Sequence, residues 1–168
     1  MTYTLSQIAH AATGQMFGAL TNMLKKAADH AAEKGVDESV YLNWRLVPDM
    51  LPMIRQPQIA CDIAARGLSR LAGADIPSFT DDEKSFAELI ERVGKAHAVI
   101  QGLDTDALDA DPSADITFPV GKENMTLSRH AYVQNMILPN VYFHTTTAYG
   151  ILRSCGVPLG KMDFLRGA

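Results

Sequence analysis

Pro139-Asn-Val-Tyr-Phe-His-Thr-Thr-Thr-Ala-Tyr-Gly-Ile-Leu-Arg-Ser-Cys-Gly-Val-Pro-Leu-Gly-Lys-Met-Asp-Phe164 is the segment that decides the fold of this chain. Apolar residues recur at helical spacing in its first part, and Gly156 followed by Pro158 is typical of a helix C-terminus. The helix also carries a histidine, threonines and tyrosines, which cost free energy in a core unless they are hydrogen-bonded. The segment therefore predicts a buried helix with a polar network or a pocket beside it, followed by a tail docked onto the domain.

Two amphipathic helices are predicted in the first half of the chain. Apolar residues at helical spacing predict a helix from Leu5 to about Glu33, and Gly35 is a typical stop. A short helical turn over Ser39–Leu46 comes next. A second long helix is predicted over Asp49–Leu71, in which Pro57 should produce a kink or delay the start.

Two more helices are predicted in the second half. Thr80-Asp-Asp-Glu83 has the pattern of a capping box and predicts a third helix that ends near Gln101. Aspartates, prolines and a Gly-Lys-Glu-Asn turn in Gly102–Leu127 predict a connection across the end of the domain with a short hairpin. The fourth helix is predicted over Ser128–Cys155, with a kink at Pro139. Together these elements predict an all-α four-helix bundle, with a small hairpin before the last helix, as a single domain over residues 1–168.

Composition excludes several classes of protein. The 168 residues are 47% hydrophobic and 20% charged, which is typical of one globular domain, and the net charge of −4 argues against nucleic acid or an anionic membrane as partner. Met1–Ile8 lacks the features of a signal peptide, and no stretch reaches the about 18 apolar residues of a membrane span.

Cys61 and Cys155 are predicted to be reduced core residues, which indicates a cytoplasmic protein. Asp62 and Arg66 are predicted to form a surface ion pair.

Four segments occur in an order that resembles a known family. They are Arg45–Pro52, Gln58–Asp62, Arg70–Gly73 and Pro139–Phe164. The chain resembles a domain-of-unknown-function branch of the DinB/YfiT-like superfamily, and the resemblance covers nearly its whole length. It implies a four-helix bundle with a long crossover between the second and third helices.

The superfamily often holds a divalent metal on three histidines, one from the second helix and two from a His-x-x-x-His pair on the last. Some relatives use that metal with low-molecular-weight thiols for transferase chemistry. Here Ala148 follows His144 at the fourth position, and Asp49–Leu71 contains no histidine. We therefore expect no cofactor and no stoichiometric transition metal, and an ion, if one bound, would use His144 and Asp49.

The candidate site lies between the second and last predicted helices. Asn140, His144 and Thr147 share one face of the last helix at spacings of four and three. Asp49 either caps the second helix or pairs with His144 across the bundle, and Gln56 falls on the same face. His144 itself is either a structural histidine bonded to a carbonyl or carboxylate, or part of a ligand pocket. The candidate pocket comprises Asp49, Gln56, Asn140, His144 and Thr147.

Three functions remain open at this point. The first is a small-molecule-binding bundle with a degenerate metal site and no enzymatic activity. The second is a metal-dependent hydrolase or thiol transferase that uses His144 and Asp49. The third is a structural homodimer without a ligand, since the helices carry more apolar positions than one bundle needs, notably the methionines at 16, 23, 50, 53 and 136.

Overall fold

The computed structural model describes residues 3–166 and is helical apart from one hairpin. In chain order its elements are α1 (Leu5–Lys34), α2 (Glu38–Leu42), α3 (Arg55–Leu71), α4 (Phe86–Gln101), α5 (Thr105–Leu108), β1 (Asp115–Val120), β2 (Glu123–Ser128), α6 (Arg129–Tyr132), a π-helical turn (Val133–Ile137), α7 (Leu138–Ser154) and α8 (Lys161–Leu165). The predicted all-α bundle with a hairpin before the last helix is confirmed.

Four long helices form the bundle. α1 packs against α4 and α7, and α3 packs against the same two helices, so α1 and α3 lie on one diagonal. Asp62 on α3 pairs with Arg92 on α4, and Gln58 bonds to Glu83 just before α4. The earlier residue of α3 meets the earlier residue of the α4 segment, and the later residue meets the later one. The helices α3 and α4 are therefore parallel. Residues 72–85 must return along the bundle to connect them, and this is the long crossover that the resemblance implied.

The core lies between these four helices. α1 contributes the longest apolar stripe, including the fully buried Phe17, Leu20 and Leu24, and α4 contributes Phe86. Each such side chain stabilises the fold by about 1.5–3 kcal/mol relative to an exposed position. A capping box of Thr4 with Gln7 starts α1. Gly35 ends it at a φ of 62°, as predicted.

The predicted start of the second long helix at Asp49 is wrong. α3 begins at Arg55, and Asp49 lies in the exposed connection before it. Pro57 explains the late start: it has no N–H and would clash inside a helix, but it is tolerated in a first turn. Backbone bonds from Met53 to Trp44 and from Ile54 to Leu42 hold the connection instead.

The predicted capping box at Thr80–Glu83 is also wrong. Ser85 and Glu88 form the capping box that starts α4, five residues later. The physical reason is competition for Glu83, whose carboxylate accepts hydrogen bonds from Arg92 and Gln58. The Thr80 hydroxyl donates a hydrogen bond to the Asp82 carboxylate instead of capping a helix.

The last helix contains a widened turn rather than the simple kink predicted at Pro139. Leu138 N–H bonds to the Val133 carbonyl, five residues back, which defines the π-helical turn. Pro139 accounts for it, because a proline ring cannot follow a regular α-helical turn without a clash. The Asn140 side chain donates to the Met136 carbonyl at 2.7 Å and so satisfies one of the disturbed backbone groups.

The connection over residues 102–128 crosses the end of the bundle from α4 to the diagonally opposite α6–α7, as predicted. β1 and β2 are antiparallel with Val120 opposite Glu123, and Gly121 adopts a φ of 62° in the tight turn. The one-turn helix α5 in this connection was not predicted. Phe118 of β1 is buried against Tyr132, with ring centroids 4.3 Å apart, which fixes the hairpin to the bundle.

The tail docks on α1, as predicted. Lys26 pairs with Asp163 at 2.7 Å, and Gln15 donates to the Leu165 carbonyl at 3.0 Å. Phe164 packs edge-on against Tyr149. Among the described helices, none is both long and apolar enough to cross a bilayer.

We expect Gly67→Ala to destabilise the protein although alanine favours helices. A Cβ at Gly67 would lie 2.8 Å from Ile137 Cδ1, where the π-helical turn approaches α3. Overpacking of a core costs about 1–3 kcal/mol, more than the about 1 kcal/mol gained in helix propensity. Chemical denaturation measures the difference.

Gly94→Ala is the matched control, because Gly94 lies on the exposed face of α4 with nothing within 4 Å of the added methyl group. It should stabilise by about 0.5–1 kcal/mol. The close approach is contradicted if both alanine variants gain stability, or if Gly67→Ala is not rescued by Ile137→Val.

Candidate functional site

The buried pair His144 and Gln56 is the centre of the predicted pocket. Gln56 Oε1 lies 2.8 Å from His144 Nδ1 across the interface of α3 and α7. Gln56 is 2% exposed, and His144 is 9% exposed. The predicted burial of His144 is therefore confirmed, and its hydrogen-bond partner is a neutral amide.

The surroundings of Gln56 fix the tautomer of His144. Gln56 Nε2 donates to the Leu51 carbonyl at 2.9 Å and lies 3.4 Å from the Pro52 carbonyl. Reversing the amide would place its oxygen against two carbonyl oxygens, so Oε1 must face the histidine. Oε1 can only accept, and Nδ1 therefore carries the proton. The neutral imidazole keeps its lone pair on Nε2, the atom that could serve as a base or a ligand.

The other predicted pocket residues do not join this pair. Asp49 is exposed in the connection before α3, so neither alternative for it holds: it does not cap α3, and His144 bonds to Gln56 instead. Thr147 donates to the Phe143 carbonyl in its own helix at 2.7 Å. Asn140 lies one turn before His144, near the start of α7, and borders a separate cavity.

We expect the stability of the protein to fall as pH drops through about 6.5, the ordinary pKa of histidine. Burial lowers the pKa of His144 below that value. Between the two pKa values the unfolded state binds a proton that the folded state does not, so acid favours unfolding. Denaturation at a series of pH values should show this dependence, and His144→Gln should reduce it. A His144 pKa at or above the ordinary value, measured by NMR, would contradict the assignment.

A cavity of about 400 Å³ lies between α3, the hairpin and the α6–α7 helix. Its walls are mostly apolar, with contributions from Ile59, Ile63, Met136 and Ile137. Sequence reasoning placed a pocket at this helix interface but located it too close to the start of α3. Among the predicted pocket residues it includes Asn140 alone.

A few polar groups converge on the cavity. Arg70 Nη1 donates to the Tyr132 hydroxyl at 3.0 Å, and both side chains line the space. Asp62 and Arg66 project from the same side of α3. The π-helical turn supplies Met136 and Ile137, and such turns often mark functional sites.

A buried arginine holds the wall behind this cavity. Arg92 on α4 is 2% exposed. Its guanidinium pairs with Asp62 at 2.7 Å, Asp81 at 3.0 Å and Glu83 at 2.8 Å, and it donates to the Thr80 carbonyl at 2.7 Å. Arg92 thereby connects the crossover, residues 72–85, to the parallel helices α3 and α4.

Burial and the Arg92 network, formed by Arg92, Asp62, Asp81 and Glu83, shift the pKa values of two of its carboxylates. Burial raises the pKa of Asp62, although Arg92 opposes the shift. Burial acts in the same direction on Asp81, but the hydrogen bond and charge of Arg55, with those of Arg92, lower the pKa of that carboxyl. Asp62 pairs with Arg92, so the predicted Asp62–Arg66 surface pair is wrong.

Sequence reasoning missed Arg92, although a signal was present. Arg92 lies three residues after Leu89 and four before Ala96, both fully buried, so it occupies a core position of the α4 stripe. An arginine at such a position needs carboxylate partners, and Asp62 and Glu83 were available.

The cysteines carry no thiolate chemistry in this fold. Cys61 is fully buried beside the Arg92 network, and burial strongly raises the pKa of its thiol. Burial also raises the pKa of Cys155. Both thiols are protonated at neutral pH, which makes them poor nucleophiles.

The methionines do not support the predicted dimer face. Met16, Met23 and Met53 are buried in the core of the chain itself. The exposed large apolar side chains lie elsewhere, including Trp44 and Phe143. Homodimerisation stays a prediction, and light scattering at micromolar concentration would test it.

Comparison with known proteins gives one family and a solved relative. The family described as a domain of unknown function, DUF1993, matches residues 5–165. A crystal structure of a DinB family member protein from Shewanella denitrificans is similar, with a TM-score of 0.88 and 36% sequence identity over 96% of this chain and 91% of that one. No curated protein matches the chain.

The match spans the four bundle helices, the crossover and the hairpin, so it covers every element that forms the cavity. The likeness to the Shewanella denitrificans protein extends over nearly the full length of both chains. The chain therefore belongs to the DUF1993 family, and it has a DinB-like four-helix-bundle fold.

Proposed function

We propose that this chain is a small-molecule-binding protein whose ligand occupies the cavity between α3, the hairpin and the α6–α7 helix. The observation that carries the proposal is the cavity itself, of about 400 Å³. Ligand sites commonly enclose about 300–1,000 Å³ and combine apolar walls with a few placed polar groups. Arg66, Arg70 and Asn140 are such groups here.

The rigidity of the surroundings supports the same proposal. The Arg92 network fixes α3 against α4 on one side of the cavity, and stacking of Phe118 on Tyr132 fixes the hairpin on the other. A preformed cavity loses little conformational entropy when a ligand binds. Little of the binding free energy is therefore lost in ordering the walls of the cavity.

Metal-dependent hydrolase or thiol-transferase chemistry has weaker support. A three-ligand site needs partners for His144, but Ala148 takes the position one turn later and Asp49 is exposed away from the histidine. Among residues 3–166, no three His, Cys, Asp or Glu side chains are grouped to hold an ion. The donor set does not fit the superfamily's metal, and the metal content of untagged protein stays a prediction for elemental analysis.

We expect anilinonaphthalenesulfonate, a fluorescent aromatic anion, to bind the cavity saturably. Ile63→Trp fills the cavity from α3, and we expect it to weaken binding by about tenfold or more, which corresponds to about 1.4 kcal/mol. Val120→Trp should act in the same way from the exposed hairpin, where folding is least disturbed. Fluorescence titration measures both effects.

Ile90→Trp is the control, since Ile90 is similarly half-buried on α4 but does not line the cavity. It should bind the probe as the wild type does, and circular dichroism should report a folded protein for all variants. Equal binding by the wild type and both cavity variants would contradict the proposed function.

A further inference from the structure

We propose that the ligand is an organic anion with an apolar body, and that Arg66 and Arg70 bind its charged head. This inference rests on the proposed function and adds the ligand class. Three charged residues line the cavity among the residues that the structure describes: Asp62, Arg66 and Arg70. They are spaced four apart on α3 and so form one stripe along the wall.

The carboxylate of this stripe already has a buried hydrogen-bond partner. Asp62 Oδ1 accepts a hydrogen bond from Arg92 Nη2 on the neighbouring helix α4 at 2.7 Å. Arg92 is buried and always protonated, so its charge is screened little by solvent. Asp62 is therefore a poor partner for a cationic ligand.

The two arginines, in contrast, form no close ion pair within the described residues, although the charge of Arg66 acts on Asp62. Arg70 donates to the Tyr132 hydroxyl, a neutral group. Within residues 3–166, the ion pairs closer than 4.0 Å engage Arg55 and Arg92 but neither Arg66 nor Arg70. Two positive charges thus face an apolar cavity in a chain whose net charge is −4.

Guanidinium chemistry defines what this wall would select. The planar group binds carboxylates and phosphates through paired hydrogen bonds, and a neighbouring apolar surface strengthens such bonds by excluding water. Tyr132 orients Arg70, so little side-chain entropy is lost on binding. The apolar residues of α3 and the π-helical turn would cover the body of the ligand.

A pair of matched probes tests the ligand class. N-phenylnaphthylamine has the ring system of anilinonaphthalenesulfonate without the sulfonate. In the variants Arg66→Met, Arg70→Met and the double variant, we expect the affinity for the anionic probe to fall, by about tenfold in the double variant. The affinity for the neutral probe should stay within about twofold. Arg66→Met alone suffices if Arg70→Met does not fold, because Arg66 is exposed.

Arg153→Met is the control, since Arg153 is an exposed arginine on α7 that does not line the cavity. It should leave both affinities unchanged. The inference is overturned if the arginine variants bind the anionic probe as tightly as the wild type does. It is also overturned if they lose affinity for both probes equally, which would indicate that the arginines shape the cavity and do not bind the charge. If neither probe binds the wild type, the proposed function itself fails.

Discussion

Arg92→Met is expected to lower the free energy of unfolding by about 3 kcal/mol, at the lower end of the range for breaking a buried ion pair. The guanidinium is 2% exposed and holds Asp62, Asp81 and Glu83. Methionine keeps most of the volume, so the loss comes from carboxylates left without a partner. Asp62 and Asp81 reach solvent at 29% and 37% exposure, which limits the penalty.

Urea denaturation measures the loss, and proteolysis locates it. The network anchors the crossover at Thr80, Asp81 and Glu83, so cleavage within residues 72–85 should become faster in Arg92→Met. Lys95→Met is the control, because Lys95 pairs with the exposed Glu91 on its own helix, and its loss should leave the unfolding midpoint unchanged. Addition of Glu83→Gln should restore part of the stability. A loss for Arg92→Met no greater than that for Lys95→Met would contradict the structural role of the network.

Arg129→Met is expected to cost about 2–3 kcal/mol, since hydrogen bonds to a charged group contribute about 1.5–3 kcal/mol each and this residue makes several. Arg129 starts α6 and donates to the Leu71 carbonyl at 2.7 Å and to the Ala107 carbonyl at 2.6 Å. It also lies 3.2 Å from the Leu108 carbonyl. One side chain thus joins the end of α3, the end of α5 and the start of the last helix.

The same change should weaken probe binding, because Arg129 follows the hairpin that forms one wall of the cavity. Arg153→Met is the matched control, since Arg153 makes a single long contact of 3.5 Å to the Val157 carbonyl. Comparison of the two variants by urea denaturation and fluorescence titration separates a specific anchor from a general loss of charge. Equal stability of the two variants would show that Arg129 does not join these segments.

Local sequence patterns predicted the fold because the helices follow local rules. α1 has a continuous apolar stripe and a glycine stop, and the hairpin has alternating residues around Gly121. The errors fell where distant residues compete for a group. Glu83 fits a capping box by sequence, but Arg92, nine residues later, recruits it. By sequence, Pro57 is compatible with a kinked helix or with a late start. Only the packing of the connection before α3 selects the late start.

Only part of the candidate site could be predicted, because some of its residues follow helical spacing and others depend on tertiary contacts. The face of α7 that carries Asn140 and His144 could be read from spacing alone, and Gln56 was correctly placed near His144. The cavity depends on the hairpin folding back over α3, and on a π-helical turn that shifts Met136 and Ile137. Neither the position of a hairpin nor a π-helical turn follows from helical periodicity.

NMR of the methionine methyl groups tests most directly whether the cavity is the binding site. Met136 lines the cavity, Met23 is buried in the core, and Met50 lies in the connection before α3, next to Leu51, whose carbonyl accepts from Gln56. Titration with anilinonaphthalenesulfonate should shift the Met136 signal, assigned through Met136→Leu, by ring currents from the bound aromatic probe. The Met23 and Met50 signals should stay in place. A shift at Met50 with none at Met136 would contradict binding in the cavity and place the probe beside the exposed side chains around Trp44.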